Sequence, residues 1–308
     1  MVFIEVVANN TTQLRLTMKK LLLLLFFFIA INCYTQAQVD SARNLLNYTP
    51  AVLLKPQQFS YRFWNLLYTQ KAIYANDGTK FPSRDRITFF TSQHQFTYGL
   101  SQTLNIEAEM WLKSTRVDLP ENSPLQVYRF TGTDSARREL AYAGAGFRWR
   151  PNQKNPRLSL GTKFLLPVTQ NLESRGMVQP FLAEDHFWWM NTLFYDTQIA
   201  DNLYTFFQAG AWVSIPKSSS EQASLIRFPF RGLLSYFASR VLSVNIQAGF
   251  ALNNQSQMNG YWGDLGLGFR WQIAPGVLEL QGEYQKYVIG KNQGAGETFN
   301  FGLRWIRF

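Results

Sequence analysis

The chain is predicted to be an all-β protein: a twelve-stranded antiparallel up-and-down transmembrane β-barrel with short periplasmic turns and longer extracellular loops. Three observations predict it. Apolar and polar residues alternate with period two through segments long enough to cross a bilayer at a tilt, for which about 9 to 11 residues suffice. The connections between these segments alternate between short and long. Hydrophobic residues make up 46% of the chain and aromatic residues 16%, yet after the leader no apolar stretch approaches the ~20 residues of a membrane-spanning helix. Strands remain as the means of crossing.

The leader comes first. Met18, Lys19 and Lys20 form a positive region, residues 21–31 are an unbroken apolar run, and Thr35-Gln36-Ala37 supplies small residues at the positions a signal peptidase reads. Cleavage is expected after Ala37, with Sec-type export to the bacterial outer membrane. Residues 1–17 read as an upstream extension, because Glu5 and the polar stretch around it have no place ahead of such a leader. Cys33 is the only cysteine, and Ala30-Ile31-Asn32 before it fits a lipobox poorly. The mature chain therefore carries no thiol, which excludes disulfides, a cysteine nucleophile and a cysteine-based metal site. No cofactor is expected. Of 30 basic and 20 acidic residues, residues 1–37 hold Arg15, Lys19, Lys20 and Glu5, leaving 27 against 19. These charges are spread singly rather than clustered, so nucleic acid is not an expected partner.

Residues 38–57 are expected to be a periplasmic or plug-like segment, with a short helix at 41–46, and residues 58–308 the barrel. Strands are placed near 58–74, 86–99, 103–116, 139–150, 157–167, 187–199, 203–215, 226–239, 242–253, 261–273, 277–288 and 298–308. The first, second and sixth are ambiguous in parity. The third sets Glu107 and Glu109 inward, the fourth Gly144, Gly146 and Arg148, the fifth Gly161 and Lys163, and the eighth Arg227 and Arg231. In the ninth, Val244, Ile246 and Ala248 oppose Asn245, Gln247 and Gly249. In the tenth, Leu265, Leu267, Phe269 and Trp271 oppose Asp264, Gly266, Gly268 and Arg270. The eleventh opposes Leu278, Leu280 and Tyr284 to Glu279, Gln281 and Glu283. A soluble barrel filled with such charges would have no hydrophobic core, so the apolar face must meet lipid. Trp149, Trp271, Tyr284 and Trp305 are expected in aromatic girdles. Connections 75–85, 117–138, 168–186, 216–225, 254–260 and 289–297 are the long ones.

In the twelfth strand Phe299, Phe301, Leu303 and Trp305 share one face and Thr298, Asn300, Gly302 and Arg304 the other. Apolar parity switches between Trp305 and Ile306, which predicts a bulge or a frayed end. This ending, with Ile306 and the final Phe308, resembles the C-terminal signal of bacterial outer-membrane barrels and implies the barrel-assembly machinery as a partner. The stretch from Leu45 to Lys55, followed by Phe63-Trp64-Asn65-Leu66-Leu67-Tyr68-Thr69-Gln70, resembles uncharacterised outer-membrane proteins of the Bacteroidota, some of them labelled only as transporters. That resemblance implies transport and carries no catalytic motif.

Inward parity yields the selectivity candidates Glu107, Glu109, Arg148, Asp264, Arg270, Glu279, Glu283 and Arg304, alongside Arg62, Lys163, Arg227 and Arg231. Glu107 and Glu109, and Glu279 and Glu283, stand beside Arg148, Arg270 and Arg304 at ion-pairing range. Inward glycines leave space or admit a bulky neighbour. The expected function is a porin-like channel for small solutes, in contact with outer-membrane lipid. One alternative is a non-conducting structural or adhesion barrel whose salt bridges only stabilise it. A sugar-stacking slide would need Trp64, Tyr68, Trp111, Trp188, Tyr204, Phe206 and Trp212 on the lumen face. A surface hydrolase of the outer-membrane phospholipase type would need Ser92 beside His94 on an exposed face. Enzymatic activity is not expected. Glu184, Asp185 and His186 would make a divalent-cation site only with help from another loop, and no metal is predicted.

Overall fold

The computed structural model describes residues 51–129, 135–173, 180–217, 223–255 and 259–307. The leader, the cleavage point, the helix expected at 41–46 and Phe308 lie outside the described residues. Twelve strands follow in order: β1 (Phe59–Tyr74), β2 (Lys80–Gly99), β3 (Leu104–Asp118), β4 (Ala136–Trp149), β5 (Leu158–Pro167), β6 (His186–Ala200), β7 (Leu203–Pro216), β8 (Leu225–Phe237), β9 (Leu242–Gln255), β10 (Gly260–Ala274), β11 (Leu278–Lys291) and β12 (Gln293–Arg307). Each pairs antiparallel with its sequence neighbours, and β1 pairs with β12 to close the barrel. A short 3-10 helix, Pro124–Tyr128, lies between β3 and β4.

Closure satisfies the backbone, and the alternation of side chains does the rest. On the outer face stand Ile246 at 55% exposure, Leu265 at 56% and Leu267 at 61%, with Phe301, Val244 and Phe164 beside them. Each would cost roughly 1.5–3 kcal/mol if left in water, so a belt of them around the whole wall requires a bilayer. The protein is a transmembrane β-barrel. Trp149, Trp271 and Trp305 point outward at the rim that carries the termini, joined by Tyr98 and Tyr236. Tyr284 does not belong to a girdle: it sits mid-strand, because β11 runs on to Lys291.

The strands are longer than expected in two places. β2 begins at Lys80 and β12 at Gln293, so the connections expected at 75–85 and 289–297 are tight turns, the second formed by Asn292 with φ 50°. Asparagine tolerates this left-handed conformation better than other side chains do. The polar residues there pair as strand instead of looping because neighbouring strands offer a ladder. The long connections at 119–135 and 168–185 are retained.

The bulge expected between Trp305 and Ile306 is absent: Tyr61, Ser60 and Phe59 pair in unbroken register with Trp305, Ile306 and Arg307. Ile306 points inward, 3% exposed, against Leu54. The parity rule assumed a wet lumen, whereas here the segment before β1 supplies an apolar neighbour. Real register shifts lie elsewhere, at Gln70/Ile73 in β1, opposite Trp111/Leu112 in β4 and opposite Gly263/Asp264 in β11.

The belt predicts a graded response. Leu267→Arg, at the centre of the outer face of β10, is expected to destabilise the barrel by about 2–4 kcal/mol, measured as a shift in denaturant-induced unfolding in lipid vesicles; an unshifted midpoint would place that face out of the bilayer.

Candidate functional site

The lumen has two storeys. At the end bearing the start of β1 and the end of β12, inward positions of β1–β5 and β8–β12 bring charged and amide side chains together. Glu107 lies 3.4 Å from the Arg148 guanidinium and accepts a hydrogen bond from Gln95 at 3.0 Å. Glu109, 6% exposed, binds Lys163 Nζ and Trp111 Nε1, each at 2.5 Å. Arg148 also rests on the Phe194 ring, 4.3 Å from its centroid. On the opposite wall Arg62, Arg270, Arg304, Glu279 and Glu283 interact through space. Glu279 accepts from Gln281, and Glu283 from Gln285 and Asn300 at 3.2 and 3.4 Å. Arg304 donates to Ser60 at 3.2 Å, and Arg62 to Gln281 at 3.3 Å. Asp264 stands higher, buried against Gly249 and under the influence of Arg231. All eight candidates thus face the lumen, and seven of them gather in its lower half.

That lower half is narrow. The cavity between Arg62, Glu107, Arg148, Arg231, Arg270 and Glu283 has a volume of about 160 Å³. The residues before β1 narrow it. Ala51 and Leu54 are buried, Val52 and Leu54 line the cavity, and the Ala51 N–H donates to Asp196 Oδ2 at 3.1 Å. Inward glycines do not open space either. A Cβ at Gly249 would meet the Asp264 carboxylate at 2.4 Å, and one at Gly302 the Trp64 ring at 2.1 Å, so these positions are seats for a neighbour's side chain.

The upper storey is aromatic. Register places Trp64, Tyr68, Trp111, Trp188 and Trp212 on the inward face, with Tyr142, Trp262 and Tyr287; Tyr204 and Phe206 also point inward but lie in the lower storey, packed with Leu233 and Phe237. Leu172, Leu182 and Ala183, between β5 and β6, bury themselves against Tyr142, Leu165, Trp188 and Leu225. Lys113 and Arg227 reach into the same space. Sequence reading passed over Lys113, because one lysine on a strand carries no signal until its neighbours across the barrel are known.

The loop triplet does not converge on a cation. Asp185 pairs with Lys217 at 3.2 Å, and buried His186 binds Ser214 through Nδ1 at 2.9 Å and lies 3.7 Å from Glu173. The Glu184 carbonyl accepts a hydrogen bond from the Tyr142 hydroxyl, and its carboxylate senses the charges of Arg227 and Lys113 through space. Among the described residues no group of metal-ligating side chains gathers.

Ser92 and His94 face lipid, as shown by their register with Asn65, Phe63 and the exposed Met110. Ser92 Oγ lies 3.3 Å from His94 Nε2, and the Tyr61 hydroxyl 2.7 Å from Nδ1. Both ring nitrogens are thereby satisfied inside an apolar belt, where an unpaired polar group is costly.

Closed strands, an apolar exterior and a charged interior define a transmembrane β-barrel with a polar lumen. The chain matches no protein-family model and no curated protein, but solved outer-membrane barrels share its fold. The COG4313 outer membrane channel from Pseudomonas putida F1 superposes with TM-score 0.60 at 16% identity, covering 88% of this chain and 99% of that one. The β domain of the Bordetella autotransporter BrkA does so with TM-score 0.54 at 12% identity, covering 82% and 100%. At such identities the likeness concerns the fold.

The ion pairs of the lower storey predict a signed effect. Glu109→Gln leaves Lys163 without its carboxylate, so the reversal potential of the refolded barrel under a salt gradient is expected to move toward anion preference; Lys163→Gln is expected to move it the other way. Identical reversal potentials would show that these charges lie off the ion path.

Proposed function

We propose that the protein is an outer-membrane channel that carries small solutes, exported by its leader and inserted by the barrel-assembly machinery through its C-terminal strand. The observation that carries this reading is a lumen lined by charges of both signs inside an apolar belt. A barrel serving only as a wall gains little from it, since buried ion pairs commonly fail to repay their desolvation, whereas charged rings select permeant ions by sign and size. The fold neighbour from Pseudomonas putida is itself described as an outer membrane channel, which agrees. The rim bearing the termini is then periplasmic, and the connection 168–185 extracellular. Residues 51–57 narrow the periplasmic mouth and are the first obstruction a solute meets there.

One observation favours a second reading, a surface lipid hydrolase: the contact between Ser92 and His94 on the lipid face. Against it, the surrounding strand N–H groups are committed to the ladder, leaving few donors for a developing oxyanion. Phospholipid turnover that disappears in both Ser92→Ala and His94→Ala would establish the hydrolase.

Single-channel recording of the refolded mature protein in a planar bilayer tests the channel. Stepwise openings with ion preference are expected; a correctly folded, heat-modifiable barrel that stays silent would refute it. Removing residues 38–57 is expected to raise the conductance severalfold, and equal conductance with and without them would show that the segment does not obstruct the path.

A further inference from the structure

The cavity of the lower storey is walled by more guanidinium groups than carboxylates. Arg62, Arg148, Arg231, Arg270 and Arg304 line it, against Glu107 and Glu283. Glu107 is already engaged by Arg148 at 3.4 Å, and Glu283 accepts from Gln285 and Asn300 at 3.2 and 3.4 Å. The neighbouring pair of Lys163 and Glu109 is closed on itself at 2.5 Å and adds no net charge. Barrel closure sets Arg62 directly opposite Arg304 across the seam of β1 and β12. Like charges in that cross-strand position destabilise a sheet; Glu279, opposite Arg304 on its other side, offsets one of them. Arg62 rests on the Trp64 ring, 4.6 Å from its centroid, and donates to Gln281 at 3.3 Å, yet its Nε is buried without a hydrogen-bond partner among the described residues. Arg270 has Gln281 and Ser243 as its cross-strand neighbours, neither of them acidic.

We infer that this cavity binds a small inorganic oxyanion of the phosphate type, held between Arg62, Arg270 and Arg304. The inference rests on the channel reading and names a solute for it. The guanidinium groups facing the cavity outnumber its carboxylates, so an anion is favoured there over a cation or a neutral molecule. An anion between Arg62 and Arg304 also relieves the opposition that closing the ring imposes on them. A guanidinium fork meets the oxygens of a phosphate in two parallel hydrogen bonds, and Ser60, Thr97, Gln95 and Gln208 add hydroxyl and amide donors to the same wall. Chloride would answer the charge but offers no separate oxygens for the forks. Size sets the other limit: about 160 Å³ is well below the roughly 300–1,000 Å³ of pockets that enclose drug-sized molecules, and Val52 and Leu54 take up part of the wall. The cavity therefore suits the anion itself better than an anion carrying a sugar.

The test uses the refolded mature chain at constant ionic strength, with inorganic phosphate as probe and chloride and glucose 6-phosphate as controls. It has two readouts: interruption of the single-channel current, and titration calorimetry, which needs no conduction. Phosphate is expected to bind, and chloride and glucose 6-phosphate to bind about tenfold more weakly or less. Arg270→Gln is expected to weaken phosphate about tenfold or more, and Arg270→Lys, which keeps the charge and loses the fork, to fall between. Glu283→Gln, which removes a carboxylate from the wall, is expected to tighten phosphate severalfold. Arg62→Gln serves as the second variant should Arg270→Gln fail to fold; it is expected to weaken phosphate likewise and to raise the unfolding temperature of the phosphate-free barrel, because Arg304 then faces no like charge. Equal binding of phosphate and chloride, tighter binding of glucose 6-phosphate, or phosphate affinity unchanged in both arginine variants would overturn the site. A silent barrel whose calorimetry shows the expected order would leave the site standing and refute only the channel, whereas a conducting barrel that takes up no phosphate would refute the site alone.

Discussion

Everything in this molecule depends on the pairing of β1 with β12. In hydrocarbon each unpaired N–H or C=O costs several kcal/mol, and a sheet of twelve strands left open would present two such edges along its whole height. Closing the ring removes both at once. It also forces the side-chain alternation to become a division of space. Residues of one parity meet lipid and those of the other meet one another across a narrow lumen, so charges isolated along the sequence become neighbours. Lys163 and Glu109 are far apart in sequence and 2.5 Å apart in space for this reason.

Most of the wall was legible in the sequence because period two survives wherever one face is lipid. β9 and β10 alternate without fault, and their inward residues are those expected. β1 and β2 were ambiguous for a physical reason: Asn65, Ser92 and His94 stand on the lipid side, where His94 pairs with Ser92 and Tyr61, so polarity ceases to report which way a residue points. The same happens in reverse at Ile306, an apolar residue at home in the lumen because Leu54 is beside it. Strand ends at Lys80 and Gln293 were missed because a tight turn between polar residues carries the same composition as a loop.

The candidate site was legible as a list of inward charges and not as an arrangement. Periodicity states that Glu107 and Arg148 share a face, and strand adjacency brings them together. It says nothing about which residues meet across the barrel, nor about segments outside the wall. Lys113 and Arg227 come from β3 and β8, and only the closed ring brings both against the aromatic wall of the upper lumen. The narrowness of the lower lumen likewise arises from residues 51–57, whose apolar character suggested a plug but not where it would sit.

The contact between Leu54 and Ile306 bears on how the ring comes to be sealed. The last strand carries an inward isoleucine that is buried against Leu54, in the stretch preceding the first strand. If the seam zipped before that stretch were home, Ile306 would face polar side chains and water, and the final hydrogen bonds of the ladder would form at a penalty. With the stretch in place the same bonds form over a dry contact. The seam and the segment before β1 are thereby coupled: the last hydrogen bonds of the ladder lie over a dry contact when Leu54 is seated against Ile306.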